Sequence, residues 1–99
     1  MQHFLVQWTF ESQEIMFEAS KDFVRYVEEG CPDDHSDEID VVYRVKNPAA
    51  STGWVIIRAA SHEALWKWSQ PWVKKFSQTL TITPVITDAE FCNAYRSQA

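Results

Sequence analysis

Two segments of this chain, Phe4–Phe10 and Trp54–Ala59, are far more apolar than the other two extended segments, Ile39–Lys46 and Thr79–Ile86. Each apolar segment carries a tryptophan near its middle or start, Trp8 and Trp54. An edge strand must keep polar side chains against unwanted pairing, whereas a central strand is covered by neighbours and takes apolar residues. The contrast therefore assigns the apolar pair to the centre of one sheet and the polar pair to its edges.

The intervening segments read as helices. Ser12 is placed to cap the first, with Glu14 in its first turn. Ile15, Met16, Ala19, Phe23, Tyr26 and Val27 then recur at helical spacing. Gly30 follows the last turn and Pro32 cannot continue it, and an acidic loop, CPDDHSDE, comes next. Ser61 caps a second helix with Glu63 in its first turn and a stripe through Ala64, Leu65, Trp68 and Trp72. Pro71 lacks an amide hydrogen, so the spacing predicts a helix to about Ser69 and a short continuation through Phe76. Asp88 is expected to cap a short C-terminal helix that buries Phe91 and Tyr95.

The order strand, helix, strand, strand, helix, strand is that of the ferredoxin-like βαββαβ arrangement, an α+β fold. Right-handed crossovers then give a four-stranded antiparallel sheet of order 4-1-3-2 with the helices on one face. The apolar strands fall in its centre, and Pro84 falls on an edge strand, where a missing donor is tolerated. Residues 1–99 form a single domain on this reading, since a chain of this length supports one core.

Such a sheet leaves its second face uncovered. By alternation that face carries Leu5, Gln7, Thr9, Val42, Arg44, Val55, Ile57, Thr81 and Thr83. A surface apolar at its centre and polar at its margin points to an interface, and two copies packed sheet to sheet about a two-fold axis would form a barrel. The expected dimer contacts are Leu5, Gln7, Val42, Arg44, Val55, Ile57 and Thr81.

Several function classes are disfavoured. A net charge of −5 lacks the basic face that phosphate neutralisation needs, so no nucleic acid is expected as partner. No apolar run approaches the ~20 residues of a membrane span. The first ten residues alternate like a strand and have no basic leader segment, and only Cys31 and Cys92 supply thiols. A cytoplasmic protein with reduced cysteines is expected. No nucleophile motif, glycine-rich phosphate loop or metal-ligand spacing occurs, and no metal is expected.

The candidate ligand-binding residues are His3, Gln7, Tyr43, Arg44 and Trp66. His3 opens a central strand on the mixed face, where a histidine suits proton transfer near neutral pH. Tyr43 and Arg44 can anchor an acidic or carbonyl group, with Gln7 and Thr81 as neutral partners. Trp66 falls off the helix stripe and either lines a cleft between helix and sheet or joins a subunit contact. His62, at a helix N-terminus, reads as exposed. His35, among four nearby carboxylates without the spacing of a calcium loop, reads as part of a solvated acidic turn. No catalytic residue is assigned.

Ala64–Leu65, Trp68, Trp72, Phe76 and Thr83–Pro84–Val85, followed by Asp88 and Glu90, resemble a known pattern. With Trp8–Thr9–Phe10 and Gly53, they are similar to small uncharacterised proteins of the dimeric α/β-barrel superfamily, seen in marine and cyanobacterial sequences. At Tyr43–Ser51 the chain departs from that pattern, carrying Tyr43-Arg44 and NPAAST in place of a Trp-His pair and a glycine-rich turn. The wider superfamily includes cofactor-independent monooxygenases, lactone isomerases, haem-dependent peroxidases, chlorite-degrading enzymes and stress-related binding proteins. The resemblance implies a homodimer. No cofactor is expected, and a haem would want an axial histidine on a helix facing the sheet, where none stands.

Three functions remain in view. The first is a dimer binding a small, largely apolar molecule, motivated by more aromatics than a core of this size needs. The second is a monooxygenase-like or isomerase-like enzyme in which His3, Tyr43 or Arg44 polarises the substrate. The third is a structural or regulatory dimer without ligand. Both the barrel interior and the helix–sheet cleft are open as the binding place.

Overall fold

A computed structural model describes residues 1–98. Its elements are β1 (Gln2–Phe10), α1 (Gln13–Glu28), β2 (Ile39–Asn47), a 3-10 turn (Pro48–Ala50), β3 (Thr52–Ala59), α2 (His62–Lys75), β4 (Gln78–Val85) and α3 (Asp88–Ser97). The sheet is antiparallel with order β2-β3-β1-β4, so the two apolar strands are central. This is the expected ferredoxin-like α+β fold with an added C-terminal helix.

Local chemistry sets the helix ends. The Ser12 and Ser61 hydroxyls accept from the amides of Ile15 and Ala64, the expected caps. After α1, Gly30 at φ +85° donates to the Val27 carbonyl while Cys31 donates to Tyr26. That pair of bonds closes the helix in a Schellman motif and turns the chain back toward the sheet. Two expectations are corrected here. α2 runs unbroken through Pro71 to Lys75, because the stripe of Leu65, Trp68, Ser69 and Trp72 holds its second half against the sheet. α3 is capped by Thr87 rather than Asp88, in a reciprocal box with Glu90.

The core lies between the sheet and the helices. Phe4 and Val6 of β1, Ile39 of β2, Val55, Ile57 and Ala59 of β3, and Ala64 and Leu65 of α2 form one buried cluster. Val55, Ile57 and Leu65 are fully buried, each contributing about 1.5–3 kcal/mol over an exposed position. Val55 and Ile57 are thus corrected from the open face to the covered one. Pairing dictates it, since Val55 sits opposite Val6 and Ile57 opposite Phe4. The open face takes the alternate set, Trp54, Ile56 and Arg58, beside Gln7, Leu5 and His3. Thr81 and Thr83 lie there as expected, opposite Gln7 and Leu5.

A bulge alters β2. Val41 pairs with Ile57 but Tyr43 pairs with Ile56, leaving Val42 as an extra residue. Beyond it the side chains exchange faces. Tyr43 and Val45 turn to the open face, whereas Arg44 and Lys46 turn under the helices, opposite Val55 and Gly53. Arg44 is therefore also corrected from the open face to the covered one.

α3 buries none of its residues, and Phe91 and Tyr95 are 60% and 70% exposed, contrary to expectation. The helix-side face is taken by α1 and α2, and the start of α3 lies instead beside His3 on the open face. The radius of gyration, 15.1 Å, accordingly exceeds the ~13 Å of a compact chain of this size. Among the described residues no helix is long and apolar enough to cross a membrane.

Gly53 faces Trp8, and a β-carbon built there would lie 2.1 Å from the indole. The absence of a side chain lets the ring lie against the strand at this point. Gly53→Ala is expected to cost about 1–3 kcal/mol with Trp8 present and much less in a Trp8→Leu background. A double-mutant cycle by chemical denaturation checks this, and additive losses would refute the contact.

Candidate functional site

Large aromatics hold α1 and α2 apart over the sheet. Phe23 and Tyr26 of α1 meet Trp72 of α2 edge to face, with centroids 6.1 and 5.7 Å away, and Trp72 meets Phe76 at 6.3 Å. Rings of this size at an interlayer seam leave a cleft of about 340 Å³ beside them. Its floor is Val6, Trp8 and Leu80, one wall is Met16, Ala19 and Phe23, and the other is Trp68, Trp72 and Val73. The volume falls at the low end of the ~300–1,000 Å³ typical of small-molecule sites.

The two cations that line the cleft, Arg44 and Lys46, come from β2, and the loop before it supplies the partner of the first. Asp34, only 5% exposed, accepts from the Tyr26 hydroxyl at 2.7 Å and from Arg44 Nη2 at 2.8 Å. Its carbonyl also accepts from the Val41 amide, which pins the loop to the start of the bulge. Burial, then the hydrogen bond to Asp34, pushes the Tyr26 phenol well above its ordinary range. The expected solvated acidic turn is corrected to this extent: Asp34 is an internal group, and Asp40 pairs with His35 Nδ1 at 2.7 Å and Arg58 Nη1 at 3.2 Å. The His35 bond, followed by Arg58, lowers the Asp40 carboxyl below its usual value.

Lys46 is the other cation of the cleft. Its side chain is exposed, and its ammonium lies 3.4 Å from the Phe23 ring centre and 5.8 Å from that of Trp8. Arg44 stacks on the same Phe23 ring at 5.3 Å. Desolvation, and next the Arg44 charge, lower the Lys46 pKa to about 8. Between there and the ordinary lysine value of 10.5, the unfolded chain holds a proton that the folded chain has released. Stability from this group therefore rises with pH across that window.

The five sequence candidates do not converge. Arg44 lines the cleft. His3, Gln7 and Tyr43 lie on the opposite face of the sheet. His3 Nδ1 is buried without a hydrogen bond, 3.5 Å from a Glu90 carboxylate oxygen at the start of α3. Trp66 is 54% exposed on the outside of α2, away from the cleft. Lys46, Asp34, Phe23 and Tyr26 were not singled out as site residues. Phe23 and Tyr26 were legible as helix residues facing the sheet, whereas Lys46 needed the bulge. Among the described residues no cluster of histidine, cysteine, aspartate or glutamate could hold a metal ion, and Cys31 and Cys92 are free thiols.

The chain matches a protein-family model described as a domain of unknown function (DUF3303) over residues 2–99, and it belongs to that family. No curated protein and no solved structure matches it.

Removing one member of the buried pair strands the other's charge. Arg44→Met should cost about 3–5 kcal/mol, and Asp34→Asn in the same chain should recover part of that loss. Denaturation midpoints of the single and double variants measure the coupling. A double variant that loses the sum of both singles would show the two groups to be independent.

Proposed function

We propose that the chain is a cytoplasmic homodimer of the dimeric α/β-barrel kind that binds a small, largely apolar molecule in the helix–sheet cleft. The observation that carries the ligand is the cleft itself, walled by Trp8, Phe23, Trp68 and Trp72. Ring stacking and apolar burial there favour a flat or compact hydrophobic body. The monooxygenase-like or isomerase-like alternative required His3, Tyr43 or Arg44 around one substrate. The first two face away from the cleft and Arg44 is engaged by Asp34, so the arrangement favours binding.

The dimer is supported by two uncovered apolar surfaces on one chain. The open sheet face presents Leu5, Trp54 and Ile56 at its centre, with Tyr43 and Val45 67% and 43% exposed beside them. The second surface is the stacked Phe91–Tyr95 pair of α3, ring centres 6.5 Å apart. A two-fold contact covers both surfaces twice with one set of residues, whereas an unrelated partner would have to complement each separately.

Two measurements test these statements separately. Sedimentation at micromolar concentration should give a species of twice 11.5 kDa, reduced to the monomer by Trp54→Glu on the open face. A wild-type species of 11.5 kDa sinks the dimer. For the ligand, naphthaleneethanol titrated calorimetrically should bind wild type, and Ser20→Phe, which fills the cleft from α1, should abolish the heat while thermal unfolding remains cooperative. Equal binding by that variant would place the probe elsewhere.

A further inference from the structure

The charges of the cleft do not balance. Asp34 is neutralised by Arg44, and its carboxylate oxygen Oδ1 is shared between that guanidinium and the Tyr26 hydroxyl. Lys46 stands outside this arrangement and forms no ion pair among the described residues. Its ammonium lies against the Phe23 and Trp8 rings on an exposed side chain, and no protein oxygen among the described residues accepts from it. An apolar cleft has thus been furnished with one surplus positive charge at its mouth, directly above its aromatic wall.

We propose that the occupant of the cleft is an aromatic or alicyclic carboxylate, its ring system between Phe23, Trp8 and Trp72 and its carboxylate on Lys46. This rests on the cleft being a ligand site, as argued above, and adds the ligand's charge and orientation. A single anionic group neutralises the surplus and accepts from the ammonium. A doubly charged head, such as a phosphate monoester, would leave one negative charge unpaired beside apolar surface, which is costly. A neutral ligand would cover the ammonium without pairing it, at a similar penalty. Arg44 is a positioning residue here: its charge is spent on Asp34, and it packs on the same Phe23 ring as Lys46. The charged and titratable groups around the ammonium are Arg44 on the same strand, Asp34 and Cys31 on the loop after α1, and Tyr26 on α1.

Calorimetric titration with naphthaleneacetate and with naphthaleneethanol, probes that share a ring system and differ in charge, tests this. At pH near 7 the acid should bind the full-length protein about tenfold or more tightly than the alcohol, the worth of a charge-assisted hydrogen bond. Lys46→Met should bring the acid and the alcohol to the same affinity, and Lys46→Arg should restore the preference for the acid. Raising the pH from about 7 to about 9.5 should weaken the acid alone, because the free ammonium discharges across that range. If both probes bind equally to wild type, the carboxylate assignment is overturned and the cleft survives. If neither binds, the cleft reading falls as well. A preference for the acid that persists in Lys46→Met would overturn the role of Lys46.

Discussion

One extra residue, Val42, decides what the helix-covered face of this sheet contains. Without the bulge, β2 would carry Tyr43 and Val45 inward with Ile39 and Val41, and the space under the helices would be an ordinary apolar core. With it, Arg44 and Lys46 turn inward opposite Val55 and Gly53, and both stack on Phe23. Bulges re-aim side chains at sheet edges in this manner, and β2 is an edge strand. The loop before it is organised to hold the result. The Asp34 carbonyl takes the Val41 amide at the bulge, and its carboxylate takes the guanidinium that the bulge delivers.

The same residue explains why the aromatics cannot close the layer. A core of isoleucine and valine would let α1 approach β2, but a guanidinium and an ammonium need room and an aromatic surface to lie on. Phe23 offers its ring to both cations, and Trp72 meets that ring edge-on. Trp8 completes the arrangement by lying over Gly53, where any larger residue would meet the indole. The cleft is therefore a consequence of polar groups placed under helices, and its apolar walls are the surfaces that shield them.

What the sequence disclosed follows from where its patterns were unambiguous. The strand–helix order, the central position of Phe4–Phe10 and Trp54–Ala59, and the serine caps were legible, because each rests on a local rule with one solution. The phase of β3 was not, since Trp54 and Ile56 are as apolar as Val55 and Ile57 and alternation carries no information between them. Gly53 opposite Trp8 was the available signal: a strand glycine paired with a tryptophan marks the face on which the ring lies. The bulge left no mark, because Ile39–Lys46 alternates acceptably in the unbulged register. Asp34 was hidden among neighbouring acids, and only Arg44 and Tyr26 in space distinguish it from Asp33 and Asp37. Amphipathic spacing correctly placed a helix after β4, but it cannot say whether the receiving surface lies in the same chain.

The two faces of the sheet serve the cleft and the proposed dimer separately. β1 supplies both: Val6 and Trp8 point to the cleft, while Leu5 and Gln7 point to the open face. A partner pressed on Leu5, Trp54 and Ile56 would bury the reverse side of the strands that form the cleft floor. Burial there restrains the twist of β1 and β3, and with it the height of Trp8 over Gly53. Ligand and partner are then coupled only to the extent that the ligand binds one twist better than another. The charge on Lys46 lies outside that coupling, since it sits on the edge strand. Recognition of an anionic head and stiffness of the apolar floor are thus supplied by different strands, so substitutions at Lys46 and at Trp54 should act on binding through separable physical effects.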